Sequence, residues 1–96
     1  RLRGGRYSLQ GDLDLHGCRV DEARGLVARF LVEASQRGLR CVRIIHGKGH
    51  RSPDGSSILK RRLDGWLRHN GHVLAYCPAR PVDGGTGAVY VLLVRG

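Results

Sequence analysis

The sequence predicts an α/β two-layer sandwich, a mixed four-stranded sheet in the order β-α-β-α-β-β with two helices on one face. Three observations predict it. Short alternating or apolar runs, the strand signature, recur at Asp12 to His16, Arg40 to Ile45, His72 to Cys77 and Ala88 to Val94. Two segments with three- and four-residue apolar spacing separate the first three runs. Each of these segments has a single apolar stripe, enough to cover one side of a sheet. The β-α-β units call for parallel neighbours joined by right-handed crossovers. The second sheet face, or its carboxyl edge, is then expected to stay open to a ligand.

The elements follow in order. Residues 1–11 read as a basic, glycine-containing arm able to add a short edge strand, ahead of one domain over residues 12–96. From Asp12 to His16 polar and apolar residues alternate, so Leu13 and Leu15 face one way and Asp12, Asp14 and His16 the other. Ala23, Leu26, Val27, Phe30, Leu31 and Ala34 make the stripe of a helix from Asp21 to Gln36. Asp21 and Glu22 favour its positive end and Gly38 stops it. Arg40 to Ile45 is the second strand, and Gly47 to Gly55 a loop rich in Gly, Ser, Lys and Arg. Ser56 or Ser57 caps a second helix, with a stripe of Ile58, Leu59, Leu63, Trp66 and Leu67 and a stop at Gly71. His72 to Cys77, a loop from Pro78 to Gly87, and Ala88 to Val94 complete the chain.

Bulk composition bounds the function. Ninety-six residues make one domain, and an apolar fraction of 41% supports an ordinary core. The net charge of +9 is high for this length. Such a surplus attracts phosphate polymers by displacing their counterions. The 17 basic residues are two lysines and fifteen arginines, so a genome-wide arginine bias is the bland alternative. Cys18, Cys41 and Cys77 are odd in number and form no C-x-x-C pair, which points to a reducing, cytoplasmic setting and not to a disulfide framework. Cys41 and Cys77 lie in apolar runs and read as buried thiols. No apolar run approaches the ~18 residues of a membrane span, so no membrane partner is expected. The chain begins at Arg1, as a piece of a longer protein would.

Two motifs carry the candidate chemistry. Leu13-Asp14-Leu15-His16-Gly17 and Ile45-His46-Gly47-Lys48-Gly49 each run from a strand into a histidine and a glycine. Strand carboxyl ends are where open α/β sheets build their sites. Asp14 and His16, two apart on a strand, share a face at roughly 6.5–7 Å between Cβ atoms, close enough to touch one phosphate and too far for an assured direct hydrogen bond. His16 can exchange a proton near neutral pH, with Asp14 orienting it, stabilising its charge or taking the proton itself. In the second motif, Gly47 and Gly49 let backbone amides approach an anion, Lys48 adds charge and His46 a second titratable group. His50 and Arg51 continue this basic loop and can track a nucleic-acid backbone, against solvated loop residues, the commoner fate of each alone. The spacing is not that of a Walker loop. The alternatives are a hydrogen-bonded strand end for the first motif and a basic turn for the second. Gly84, Gly85 and Gly87 offer a second phosphate cradle, against a simple turn needing positive φ, which is the stronger reading. Tyr76 and Tyr90 are candidates for stacking on bases, with packing on the sheet as the commoner fate. Trp66 belongs to the core. No cysteine or acid at ligand spacing accompanies His69 and His72, so no metal site is expected. Nothing nearby activates Cys18 as a nucleophile.

These motifs resemble the Smr, or small MutS-related, domain. The likeness rests on Leu13 to Gly17, Glu22-Ala23, Ile45 to Gly49, Leu59-Lys60, Trp66-Leu67, Ala75-Tyr76 and the closing Gly84 to Leu93. It runs from about Leu13 to Arg95, and Leu2 to Tyr7 resembles the stretch before the domain in stand-alone bacterial Smr proteins. The resemblance implies a fold similar to the C-terminal domain of translation initiation factor three. It further implies nucleic-acid binding and often endonuclease activity, on DNA or on RNA, including messenger RNA on stalled ribosomes. It maps the family's Asp-x-His onto Asp14 and His16, and its H-G-x-G onto His46, Gly47 and Gly49.

The chemistry leans toward RNA. RNA carries its own nucleophile, so a base, an acid and positive charge on the phosphate suffice without a cofactor. Cutting DNA calls for an activated water, usually on divalent metal held by several carboxylates. Here Asp21, Glu22, Glu33 and Asp64 fall on helices, Asp54 and Asp83 in loops, and only Asp12 and Asp14 on the site face. The expected function is therefore an endonuclease with RNA favoured and DNA left open, acting through Asp14, His16 and His46 around one phosphate. RNA, DNA and the ribosome are the candidate partners. The rivals are a non-catalytic module that docks on nucleic acid or the ribosome, and a nucleotide-phosphate binder using the glycine loops.

Overall fold

The computed structural model describes residues 8–47 and 53–95. Among these, the principal elements are β1 (Asp12–Asp14), α1 (Val20–Gln36), β2 (Cys41–Ile45), α2 (Pro53–Arg68), β3 (Val73–Pro78) and β4 (Ala88–Leu93). Two short 3-10 turns, Pro81–Asp83 and Gly85–Gly87, occupy the connection between the last two strands. The element order and layer arrangement are those the sequence predicts.

Local chemistry sets each helix. In α1, Ala23, Val27, Leu31 and Ala34 recur every three or four residues and are all buried. At its start the Arg19 amide donates to the Glu22 carboxylate at 3.0 Å, half of a capping box. At its end Gly38 takes φ +75°. The Gly38 and Leu39 amides donate to the Ser35 and Ala34 carbonyls, both at 3.0 Å, closing a Schellman motif. α2 begins at Pro53, ahead of the serine cap the sequence predicts, and so includes Asp54, which the sequence places in a loop. A proline lacks the amide that a first helical turn leaves unpaired, and its fixed φ suits that position. Leu59, Leu63 and Leu67, one turn apart, are each no more than 4% exposed.

The sheet has the order β1-β2-β4-β3. β1 pairs parallel with β2, Asp14 beside Ile45, while β4 runs antiparallel to both β2 and β3. β1, β2 and β3 therefore end at one edge, where β4 begins. Alternation sorts the side chains. Val42, Ile44, Val89, Val91 and Leu93 join the core under the helices. Ile45, Cys77, Ala88 and Tyr90 pack on the opposite face. Before β1, the Gln10 side chain accepts from the Arg40 and Cys41 amides at 2.6 and 3.2 Å, and the Gly11 carbonyl from Arg43 at 2.9 Å, so the chain already follows β2 there.

The opposite face is less open than expected. The connection from Ala79 to Gly87 folds over it and buries Ala79, Ala88 and Tyr90. A polar network holds it down: Tyr90 donates its hydroxyl to the Asp83 carboxylate and accepts from the Arg80 amide at 3.2 Å. Arg43 joins it by donating to the Asp83 carbonyl at 3.0 Å and to the Asp12 carboxylate at 2.7 Å. Cys41 is buried and Cys77 half-buried, and all three cysteines are free thiols. Burial pushes the Cys41 thiol above its ordinary value, helped by nearby Cys77.

Candidate functional site

The first motif lies where β1 gives out. Leu15 is fully buried, and its amide donates to the Ile45 carbonyl at 2.7 Å, anchoring the last extended residue. The chain then turns, with Cys18 donating to the Leu15 carbonyl at 2.9 Å and Gly17 at φ +81°. A side chain at Gly17 would be strained by that backbone angle. The strand thus stops at Asp14, two residues short of the expected end at His16.

That early stop changes the geometry of Asp14 and His16. Instead of standing side by side on a strand, the two fold together. The His16 ring nitrogen Nδ1 lies 2.6 Å from Asp14 Oδ1, and the His16 amide donates to the same oxygen at 3.0 Å. The pair is solvent-facing, His16 73% and Asp14 50% exposed. The side-chain hydrogen bond from His16, then that from its amide, hold the Asp14 carboxyl below the ordinary carboxylate value. An ionised Asp14 takes the proton-bearing nitrogen as its partner. It therefore favours the tautomer with hydrogen on Nδ1 and a lone pair on Nε2.

His46 behaves differently. It continues the alternation of Val42 and Ile44 toward the helices and is 4% exposed. Its Nδ1 donates to the Gly47 carbonyl at 2.9 Å. Burial lowers its pKa below the ordinary imidazole value, only partly offset by that hydrogen bond, with Lys60 lowering it further. His46 is thus kept neutral near pH 7. It shares the sheet edge with Asp14 and His16, but its imidazole turns to the α2 side and bonds to Gly47, not to the pair. The structure joins two of the three expected catalytic groups directly and holds the third apart.

The glycines are turn residues. Gly47, Gly84 and Gly85 have positive φ. The Gly47 amide donates to the Gly87 carbonyl at 3.0 Å, as does the His46 amide at 2.9 Å. The Gly84, Gly85 and Gly87 amides donate to Pro81, Arg80 and Gly84 carbonyls at 3.2, 2.9 and 3.0 Å. These donors are spent inside the loop. By contrast, no acceptor for the Gly17 amide is found among the described residues. Lys48, Gly49, His50 and Arg51 lie outside the described residues.

Sequence reasoning missed what lies behind His46. A cavity of about 210 Å³ opens between α2 and the ends of β3 and β4, lined among others by His46, Lys60, Leu63, Tyr76, Thr86 and Val89. Tyr76 is fixed there by donating its hydroxyl to Asp64 Oδ1 at 2.7 Å. Its signals in the sequence are Tyr76, a candidate for stacking on bases, and the four-residue spacing of Lys60 and Asp64 beside the leucine stripe of α2, which reads equally as a solvated helix face. Among the described residues no three His, Cys, Asp or Glu side chains come together as a metal site would require. No helix among them is long and apolar enough to cross a membrane.

A mixed sheet in the order β1-β2-β4-β3 under two helices, with an aspartate–histidine pair at the first strand end, defines a small two-layer α/β domain with a polar carboxyl edge. The Smr domain model matches residues 13–94, and the chain belongs to that family. It is similar to the probable DNA endonuclease SmrA of Escherichia coli strain K12, 42% identical over 93 residues that cover 97% of this chain and 50% of that protein. It is 32% identical, over 97% of this chain and 50% of the other, to the ribosome rescue factor SmrB of Tolumonas auensis. The crystal structure of YdaL, a stand-alone small MutS-related protein from Escherichia coli, superposes with a TM-score of 0.87 at 41% identity, covering 97% of this chain and 71% of that one. The chain spans about half the length of the curated relatives it matches.

Proposed function

We propose that this domain is a nucleic-acid endonuclease that favours RNA, with His16 as the proton-transfer group and Asp14 as its orienting partner. The observation that carries the reading is the 2.6 Å contact between Asp14 and His16 on an exposed sheet edge. A carboxylate on Nδ1 leaves Nε2 as a base facing solvent, the arrangement general base catalysis needs. On RNA, Nε2 takes the proton of a 2′-hydroxyl. The freed oxygen attacks the adjacent phosphorus, the bond to the 5′-oxygen breaks, and that oxygen leaves with the proton that the His16 imidazolium gives back, directly or through a water. The products are a 2′,3′-cyclic phosphate and a 5′-hydroxyl. The field of a chain at +9 draws the polyanion in and stabilises the added negative charge. His46, buried and neutral, supports the edge and is not the proton donor. Among the described residues the carboxylates are scattered and give little purchase to a metal-activated water.

DNA stays in view for one reason: the SmrA relative carries the name of a DNA endonuclease. A role at the ribosome is likewise suggested by the name of the SmrB relatives. Labelled RNA and DNA of one sequence, incubated side by side with wild type and His16→Ala, test the reading. RNA cut by wild type, and bound but uncut by His16→Ala, is the expected result. Cutting of DNA alone, or undiminished cutting by His16→Ala, contradicts it.

A further inference from the structure

Behind the proposed catalytic edge lies the cavity walled by α2, which the chemistry above does not use. Its volume of about 210 Å³ is smaller than the ~300 Å³ and upward of drug-sized sites. It suits one planar ring system and not a base pair. Its walls are of two kinds. Leu63, Leu67 and Val89 supply apolar surface and Tyr76 an aromatic one, held by its hydroxyl on Asp64. His46, Lys60 and Thr86 supply a few polar groups. With its Nδ1 proton committed to the Gly47 carbonyl, His46 offers an acceptor at Nε2. An apolar, aromatic-sided pocket with a few convergent polar groups is the chemistry that recognises a nucleobase.

Position adds the second argument. His46 follows Ile45, and Ile45 is the register partner of Asp14. Adjacent strands lie ~4.8 Å apart. His46, one wall of the cavity, and the Asp14–His16 pair therefore occupy neighbouring strand ends on opposite sides of one sheet edge, with the walls on β4 and β3 one and two strands further along that edge.

We propose that this cavity receives one unpaired nucleobase, whose sugar and phosphate cross the sheet edge toward Asp14 and His16. The substrate is then single-stranded at the point of cleavage, because a paired base cannot enter. The inference rests on the reading that the domain acts on nucleic acid.

The test uses the chain in the His16→Ala form, expected to bind without cutting, and a short single-stranded RNA in which each position in turn is made abasic. One position is expected to lose binding about tenfold, the size of a lost base–aromatic stack, with its neighbours little affected. Thr86→Trp, at the exposed rim, fills the mouth without disturbing the core, and should erase the difference between intact and abasic RNA at that position. A duplex of the same sequence should bind at least about tenfold more weakly. Binding that stays within about twofold at every abasic position overturns the base pocket and leaves the nuclease reading standing. Absence of binding to any nucleic acid overturns both.

Discussion

His16 Nδ1 and Asp14 Oδ1 sit 2.6 Å apart because β1 ends at Asp14 and the chain turns back through Gly17. The pair is built by that turn, not by strand alternation. Neither residue supports the core, so their roles can be separated from folding by mutation.

Asp14→Asn keeps an oxygen for His16 to bond and removes the charge that selects the Nδ1 tautomer. Cleavage should fall by about 10²-fold or more, with stability changed by less than about 0.5 kcal/mol, as for other exposed sites. Single-turnover rates and thermal melts of the same samples check both. Asp14 titrates below its ordinary value, so whatever stability it lends is complete above the unfolded carboxylate pKa and lost only as pH falls through the lower folded one. An acid limb of the pH–rate profile above pH ~4 should therefore persist in Asp14→Asn at a lower plateau.

His46 gives the domain a pH-dependent stability. Its folded pKa lies below the ordinary imidazole value, because burial disfavours the charged ring. The unfolded chain thus binds more protons in the window between the two values. Stability is full above about pH 6.5 and declines as pH drops through the folded pKa. Melts from pH 7.5 downward should show this slope, and His46→Gln should flatten it.

Gly84 closes the turn over the far sheet face at φ +119°, and a Cβ there would meet the Ala88 Cβ at 2.8 Å. Gly84→Ala should cost about 1–3 kcal/mol, read as a shifted denaturant midpoint with an unchanged slope.

Tyr90→Phe removes a buried hydroxyl that donates to Asp83 and accepts from Arg80. A loss of about 1–2 kcal/mol in urea unfolding is expected. The Asp14–His16 pair, on another element, should keep its activity.

The fold was legible because its information is local. Ala23, Val27 and Leu31 announce a helix face, and Val89, Val91 and Leu93 a strand face, whatever lies around them. The strand–histidine–glycine motifs were legible for the same reason. Contacts made across the chain were not. Tyr90 meets Asp83 and Arg80 only because the connection folds over the sheet. Arg43 reads as an oddity inside a strand until Asp12 and Asp83 flank it. His46 shares its motif type with His16, yet one lies in the open and the other against α2, since residue spacing says nothing about which side of a sheet edge a chain leaves. Pro53 starts α2 three residues ahead of Ser56, because a proline and a serine are both good local start signals and the sequence alone does not choose between them.

His16, set by Asp14, is proposed to cut RNA through the 2′-hydroxyl without metal. The most direct measurement is the chemistry of the product ends after cleavage in excess chelator. The expected products are 2′,3′-cyclic phosphate and 5′-hydroxyl ends, formed at an undiminished rate. Cleavage abolished by chelator, or products with 5′-phosphate ends, would contradict it.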